Sequence, residues 1–230
     1  MIGIIGAMDE EIKEILEGAT IQETKVKASM VFNKGILEGR EIVIVRCGIG
    51  KVNAACCTQI LVCDYHVDYI INTGIAGSLK NEIDIADIVL SSDVLHHDMD
   101  ATGFGYELGQ IPRMDTKSFM ADKRLIDIAN ACAGRIFDDT KVFVGRIVSG
   151  DQFVSDSKRK EFIVKNFEGF CTEMEGASIG QAAYLNNVPF LIIRAISDKA
   201  DNSATMDYGE FEKIAIGKLA GLVREIVKEV

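Results

Sequence analysis

The sequence predicts an α/β fold: one domain, with a mixed, twisted central sheet that is flanked by helices on both faces. Short apolar, β-branched runs alternate along the chain with longer segments of helical spacing, which is typical of a βα-layered domain. Most of the short runs are almost continuously apolar, as strands are when helices cover both faces of their sheet. With 230 residues, 48% of them apolar and only 2 Pro, residues 1–230 suit a single domain with a sizeable core.

Eight strands follow from the apolar runs. They are predicted at residues 2–5, 30–37, 42–47, 69–73, 88–91, 142–148, 169–173 and 190–196. The second and third of these are separated by the letters EGR, which is typical of a hairpin. Because the strands of a hairpin are antiparallel, we expect a mixed sheet and not a wholly parallel one.

Six helices fill the intervals between the strands. They are predicted at residues 9–17, 51–63, 122–133, 155–166 and 176–185, with a last helix from about Tyr208. Apolar residues recur at helical spacing in the last segment, so we expect it to close the core. The least regular stretch is the segment of about 24 residues from His96 to Phe119. So long a loop in a compact domain is usually functional or contacts a partner.

The charge balance excludes two classes of partner. The chain has 35 acidic and 25 basic residues and a formal charge of −10, and it has no Lys/Arg cluster of the kind that binds nucleic acid or an anionic membrane. No segment reaches the roughly 20 uninterrupted apolar residues of a membrane span, so we expect a soluble protein. The six Cys lack the paired spacing of zinc sites, which predicts reduced thiols, a cytoplasmic location and no metal site.

Acidic residues follow several of the predicted strands. They are Glu10, Glu11, Asp151, Glu173, Glu175 and Asp198. Because ligands of open α/β sheets bind at the carboxyl ends of the strands, we expect these acids to converge on one edge of the sheet. Carboxylates can protonate a leaving group, activate water and stabilise a cationic transition state. Together these abilities describe the cleavage of a glycosyl bond.

Other motifs predict less. The letters GIGK at 48–51 lack two residues of a phosphate-binding loop, since Val45 replaces its first glycine and Val52 its hydroxyl. The stretch NTGIAG at 72–77 lacks the dinucleotide pattern GxGxxG. Its two glycines fit either a ligand lying close to the backbone or a tight turn. Covalent acyl chemistry is disfavoured, because no Ser-His-Asp set and no Cys with a neighbouring base is evident.

Seven stretches, in chain order, carry a resemblance to a known family. They read GIIGAMDEE, CGIGKVNAA, INTGIAG, GFGYELGQIP, SGDQF, TEMEGA and VPFLIIRAISDKAD. Over nearly its whole length the chain resembles the 5'-methylthioadenosine/S-adenosylhomocysteine nucleosidases of the nucleoside phosphorylase superfamily. The resemblance implies a three-layer sandwich, a homodimer and no cofactor. It implies hydrolysis of the N-glycosidic bond of methylthioadenosine and S-adenosylhomocysteine, with 5'-deoxyadenosine as a further candidate, to release adenine and a thioribose.

The same resemblance assigns four catalytic residues. Asp198 would be the general acid that protonates adenine N7, because adenine leaves poorly as an anion. Ser197 would orient that acid. Glu11 would hold and deprotonate the attacking water, with Arg194 steadying it.

The resemblance also implies a set of substrate contacts. Glu175 would accept hydrogen bonds from the ribose 2' and 3' hydroxyls, and its charge would favour an oxocarbenium-like sugar. Phe153 would stack on adenine, and the main chain of Val154 would contact the adenine edge. Phe104 and Pro112, in the long segment, would reach the pocket of the neighbouring subunit. The remaining residues expected around the substrate are Met8, Ile49, Ile75, Ala76, Gly77, Met174 and Tyr208.

Two residues depart from the family pattern. Ile75 stands where some relatives carry a Ser near the water, which predicts slower catalysis unless Glu11 and Arg194 suffice. Lys199 follows Asp198 where relatives often have a small apolar residue. We expect its ammonium group to point to solvent, because burying it is costly.

Three other functions stay open at this stage. The first is a hydrolase of a related nucleoside such as aminodeoxyfutalosine. The second is a purine nucleoside phosphorylase, which needs a cationic phosphate site that the acids here disfavour. The third is a non-catalytic nucleoside-binding protein, in which Glu11 or Asp198 would be lost, although both are present. The preferred 5' substituent does not follow from the sequence.

Overall fold

Strands and helices alternate along the chain in a computed structural model of the protein. The structure describes residues 1–201 and 204–230, without the side chains of residues 205–214. The strands are β1 Ile2–Gly6, β2 Thr20–Lys27, β3 Met30–Leu37, β4 Arg40–Arg46, β5 Tyr69–Ser78, β6 Ile88–His96, β7 Phe119–Met120, β8 Val142–Ser149, β9 Cys171–Glu173 and β10 Phe190–Asp198. The helices are α1 Asp9–Glu17, α2 Lys51–Tyr65, α3 Lys123–Ile136, α4 Ser157–Phe167, α5 Gly176–Leu185 and α6 Ala204–Glu229.

Every predicted strand and helix is present, and β3, α1 and α5 have the predicted bounds. The sequence does not predict β2, because all eight of its residues are exposed and show no apolar alternation. This strand exists because its backbone pairs antiparallel with β3. Both β5 and β10 continue past the predicted ends into polar and glycine-rich sequence, where most residues are still buried.

The sheet is mixed, as predicted. Strand β1 is parallel to β4 and β5, whereas β3 pairs antiparallel with β4. The hairpin between β3 and β4 turns on Glu38 and Gly39, with φ of 51° and 81°, and two consecutive left-handed residues match the right-handed twist of the strands they join. Beyond β5 the sheet closes on itself. Strand β5 pairs with β10, β10 with β6, β6 with β8, β8 with β9, and β9 with β5.

The helices cover the sheet in separate groups. Helices α1, α3 and α6 pack together against one side, and α2 packs with α5 against another. Helix α4 covers a smaller apolar cluster, where Ile163 and Phe167 pack near Leu95 and Val148. This arrangement leaves the ends of β1, β5 and β10 open to a cavity, with β9 running antiparallel beside the last residues of β5.

Candidate active site

A cavity of about 470 Å³ lies at the carboxyl ends of β1, β5 and β10. Twelve residues that the sequence predicts around a substrate line this cavity. They are Met8, Glu11, Ile49, Ile75, Ala76, Gly77, Phe153, Val154, Met174, Glu175, Ser197 and Asp198. Ala7, Gln152, Thr172 and Glu173 also line it. Of these four, the sequence predicts only Glu173, as one of the acids that follow strands.

Glu11 is held by backbone amides in the first turn of α1. Its Oε2 accepts hydrogen bonds from the amides of Ala7 at 2.7 Å and Met8 at 3.1 Å, and its Oε1 accepts one from Ile75 at 3.1 Å. Burial raises the pKa of this carboxyl above its ordinary value, although the charge of Arg194 and the three amides oppose that rise. Glu11 is therefore a fixed carboxylate that is more basic than one in water.

The stretch NTGIAG lies inside β5 and is not a turn. A Cβ at Gly74 would lie 2.5 Å from Oε1 of Glu11, and one at Gly77 would lie 2.7 Å from Oδ1 of Asp198. Such contacts are too short for any side chain. The tight-turn interpretation is therefore wrong, and the two glycines let two carboxyl side chains approach the strand, a reason that the sequence did not indicate.

Asp198 ends β10 at a break in the strand register. The pairing with β5 shifts between Ile196 and Asp198, and such irregularities change the direction of a side chain next to a site. The Asp198 Oδ2 accepts a hydrogen bond from Ser197 Oγ at 2.8 Å, and its Oδ1 accepts one from the amide of Ala200 at 2.7 Å. Both neighbours thus fix the orientation of a carboxyl that is 2% exposed.

Arg194 is buried behind the cavity and does not line it. Its Nη2 forms an ion pair with Glu173 and donates to Asn72 Oδ1 at 2.5 Å, while its Nη1 donates to the carbonyl of Ile193 at 3.0 Å. Nη1 also lies 3.3 Å from the position of a Gly74 Cβ, and Oε1 of Glu11 lies 2.5 Å from the same point. The guanidinium is therefore close to Glu11, but its ion-pair partner among the described residues is Glu173.

Glu175 follows β9 and precedes α5. Its Oε1 accepts a hydrogen bond from the amide of Gly50 at 2.7 Å. Burial, followed by the negative charge of Glu173, raises the pKa of Glu175 to about 8. This carboxyl therefore changes its protonation state near neutral pH.

Not all of the acids that follow strands gather here. Asp151 is exposed and accepts the amide of Lys51 at 2.8 Å, at the start of α2. Glu10 is exposed on α1 and does not line the cavity. Glu173 and Glu175 arrive from β9, which runs antiparallel to β5. The expectation that all six acids converge on one edge of the sheet is therefore wrong for Glu10 and Asp151, whereas Glu11, Glu173, Glu175 and Asp198 do line one cavity.

Three predicted contact residues are not among the described residues that line this chain's cavity. Phe104 is 87% exposed in a short 3₁₀ turn, Pro112 is exposed, and neither lines the cavity. The side chain of Tyr208 lies outside the described residues. The mouth of the cavity is apolar, since Ile49 and Phe153 line it and are 54% and 52% exposed.

Lys199 does not point to solvent as expected. Its Nζ donates to the carbonyl of Ile83 at 2.6 Å and forms an ion pair with Asp84 at 3.2 Å, with 27% of the side chain exposed. A carbonyl and a carboxylate offset the cost of partial burial. The ammonium is thus held at the segment between β5 and β6.

Within the described residues, no group of three His, Cys, Asp or Glu side chains is placed to hold a metal ion. Nor does any helix in that part of the chain combine the length and apolarity needed to cross a membrane.

Comparisons with known proteins agree with this geometry. The model of the Phosphorylase superfamily matches residues 1–228. A 5'-methylthioadenosine/S-adenosylhomocysteine nucleosidase of Staphylococcus carnosus is 43% identical, over 100% of this chain and 98% of that protein. The enzyme of that name from Neisseria meningitidis, solved in complex with methylthio-immucillin-A, is 39% identical with a TM-score of 0.96, over 100% and 99% of the two chains. The futalosine hydrolase of Helicobacter pylori is 34% identical with a TM-score of 0.94, over 100% and 97%.

Proposed function

The chain belongs to the phosphorylase superfamily and, within it, to the 5'-methylthioadenosine/S-adenosylhomocysteine nucleosidases, and from this premise we propose how its site cleaves the N-glycosidic bond of methylthioadenosine and S-adenosylhomocysteine. The protein is an N-glycosidic hydrolase. One observation carries the mechanism: Glu11 and Asp198 approach β5 at two glycines three residues apart, which corresponds to about 10 Å of strand. That spacing leaves room for a sugar–base bond between an acid and a base.

Asp198 acts on the leaving group. Protonated Asp198 gives its proton to adenine N7, so that the C1'–N9 electron pair leaves with a neutral base. The hydrogen bonds from Ser197 and the amide of Ala200 support this role, because they fix the carboxyl before the substrate arrives.

Glu11 acts on the water. It removes a proton from the water whose oxygen forms the new bond to C1', and its raised pKa makes it a stronger base for that step. Arg194 lies across from it without a direct ion pair between the two described groups, which supports a water held between them. Ile75 has no hydroxyl to offer that water, but its amide holds Glu11 at 3.1 Å.

Glu175 recognises the ribose. A carboxylate can accept hydrogen bonds from both hydroxyls of a diol, and its negative charge stabilises an oxocarbenium-like sugar. With a pKa of about 8, Glu175 is largely protonated at neutral pH in the unliganded site. The cationic sugar of the transition state favours its ionised form, so its charge develops where the reaction needs it.

The remaining contacts complete the pocket. Phe153 stacks on adenine at the mouth, the main chain of Val154 meets the adenine edge, and Met8 and Met174 flank the sugar and thioether. The exposed Phe104 and Pro112 suit a homodimer in which this segment of each subunit reaches the pocket of the other. We place residues 1–230 in one nucleosidase domain, acting in the cytoplasm in methionine salvage.

A second candidate substrate is aminodeoxyfutalosine. The likeness to the futalosine hydrolase of Helicobacter pylori favours testing it, because both substrates present adenine and a ribose diol and differ at the 5' substituent. The residues that perform the chemistry are the same for either substrate.

The test is release of adenine from methylthioadenosine by the purified protein in phosphate-free buffer, followed by chromatography and repeated with phosphate and with aminodeoxyfutalosine. We expect release without phosphate and no sugar phosphate when phosphate is present. Turnover only with phosphate would make the protein a phosphorylase and overturn the role of Glu11. Cleavage of aminodeoxyfutalosine alone would move the function to the second candidate.

A further inference from the structure

We propose that Glu173 is a positioning residue of this reaction, whose buried carboxylate holds Arg194 at the water side of the site and the main chain of Glu175 at the ribose side. This inference rests on the proposed function, because it concerns how the residues of that reaction are kept in place. This role of Glu173 follows from its contacts, since its sequence position predicts only that it lies with the other acids and the family resemblance gave it no role.

The Glu173 carboxylate is surrounded by donors. Its Oε2 accepts the amides of Glu175 at 3.1 Å and Gly176 at 2.8 Å, in addition to Arg194 Nη2. Its Oε1 accepts the hydroxyl of Ser149, and the oxygen of that hydroxyl accepts the amide of Ala177 at 2.7 Å. The three amides lie at the N-terminus of α5, where the helix dipole favours an anion. Glu173 is therefore held as a carboxylate in one orientation.

The first consequence concerns Arg194. Its guanidinium is 2% exposed, and a buried cation without a partner is strongly unfavourable. Glu11 is the other carboxylate beside it, near Gly74. By pairing with Arg194, Glu173 prevents the guanidinium from pairing with Glu11, which keeps Glu11 basic enough to take a proton from water.

The second consequence concerns Glu175. Glu173 accepts a hydrogen bond from the amide of Glu175 and so fixes the position of that residue. The negative charge of Glu173 also opposes ionisation of the Glu175 carboxyl. The charged or titratable groups that interact with Glu175 are Glu173, Arg194, Glu11 and Cys47. Those that interact with Glu11 include Arg194 and Cys47. Of these groups, Glu173 is the one whose charge acts on both ends of the site through direct contacts.

The test compares Glu173→Gln, which keeps the shape and removes the charge, with Glu173→Asp and with Glu161→Gln, an exposed control on α4. In Glu173→Gln we expect kcat on methylthioadenosine to fall at least tenfold and KM to change less than threefold. We also expect the acidic limb of the pH profile to move to lower pH, because the freed Arg194 favours ionised Glu11. Glu173→Asp keeps the charge and should keep the acidic limb of the wild type while its kcat falls, and Glu161→Gln should match the wild type throughout.

A second measurement does not depend on turnover. Titration of the side-chain carboxyl carbons by NMR should give lower pKa values for both Glu11 and Glu175 in Glu173→Gln than in the wild type. Unchanged pKa values, or a Glu173→Gln variant with wild-type kcat, would overturn the inference. A fall in kcat without any shift of the acidic limb would reduce Glu173 to a structural residue.

If Glu173→Gln does not fold, a Glu173→Asp variant with wild-type kcat overturns the inference instead. If the wild type itself released no adenine, the proposed function would fail while this titration still decided the role of Glu173.

Discussion

The carboxylates of the cavity and the long segment at 97–118 differ in burial and in where their partners lie. Glu11, Glu173 and Asp198 are buried polar groups, and each has its hydrogen-bond partners inside this chain. Phe104 and Pro112 are exposed apolar groups, and nothing in this chain covers their faces toward solvent among the described residues. The described chain thus provides the carboxylates of the site, whereas a part for Phe104 and Pro112 in substrate binding rests on the homodimer that we propose. Substitutions in the first region should therefore change kcat, and those in the second should change KM.

The largest effect is expected from Asp198→Asn. The amide cannot protonate adenine, so kcat on methylthioadenosine should fall about 10²- to 10⁴-fold, while binding measured by calorimetry is retained. Asp139→Asn, at an exposed position, is the matched control. Turnover at the level of this control would remove Asp198 as the general acid.

Glu175→Gln should separate activity from stability. Loss of the charge should lower kcat/KM about 10²-fold, because both the diol contact and the stabilisation of the sugar cation weaken. The same substitution should raise the stability of the folded protein at high pH. Because the pKa of Glu175 is raised to about 8, the folded state favours the protonated acid, and the stability that this acid provides is lost as the pH rises through about 8. The variant should thus melt several degrees above the wild type at pH 9 and match it near pH 4. Equal melting temperatures at pH 9 would contradict the raised pKa.

Phe104→Ala tests the other region. We expect KM for methylthioadenosine to rise about tenfold with kcat nearly unchanged, because in the proposed homodimer an apolar wall of the neighbouring pocket would be lost while the carboxylates stay intact. The control is Val26→Ala on β2, which is 73% exposed and remote from the cavity. A drop in kcat equal to that of Glu175→Gln would mean that the two regions are not separable.

The smallest effect is expected from Lys199→Met. The ammonium is bound by Ile83 and Asp84, so its loss should leave the pH profile of kcat unchanged and lower the free energy of unfolding by about 0.5 kcal/mol. A changed pH profile of kcat would show instead that Lys199 acts on the neighbouring Asp198.

Apolar periodicity predicts most of the fold, and the acids at strand ends indicate four carboxyl groups that line the cavity, Glu11, Glu173, Glu175 and Asp198. The other predicted residues of the candidate site come from the family resemblance and not from periodicity. Periodicity fails at β2, whose exposed residues carry no periodic pattern and which forms through backbone pairing. The sequence names Glu173 among the acids at strand ends but not its contact with Arg194, because two glutamates separated by one Met give no indication of which one pairs with that residue. For Gly74 and Gly77 it left two interpretations open, since only the fold brings Glu11 and Asp198 against them.

Strand β10 pairs with β5, and its residues 193–195 also pair with β6 on the other edge. This doubly paired part carries Arg194, and Ser197 and Asp198 follow it in the same strand. Amide protons in such a strand exchange with solvent only when the whole domain opens. Hydrogen exchange should therefore report the same opening free energy at residues 193–195 as global denaturation does. Mild heat or denaturant should then displace Arg194 only as the whole domain unfolds, without a partly unfolded form in which this buried arginine alone is lost.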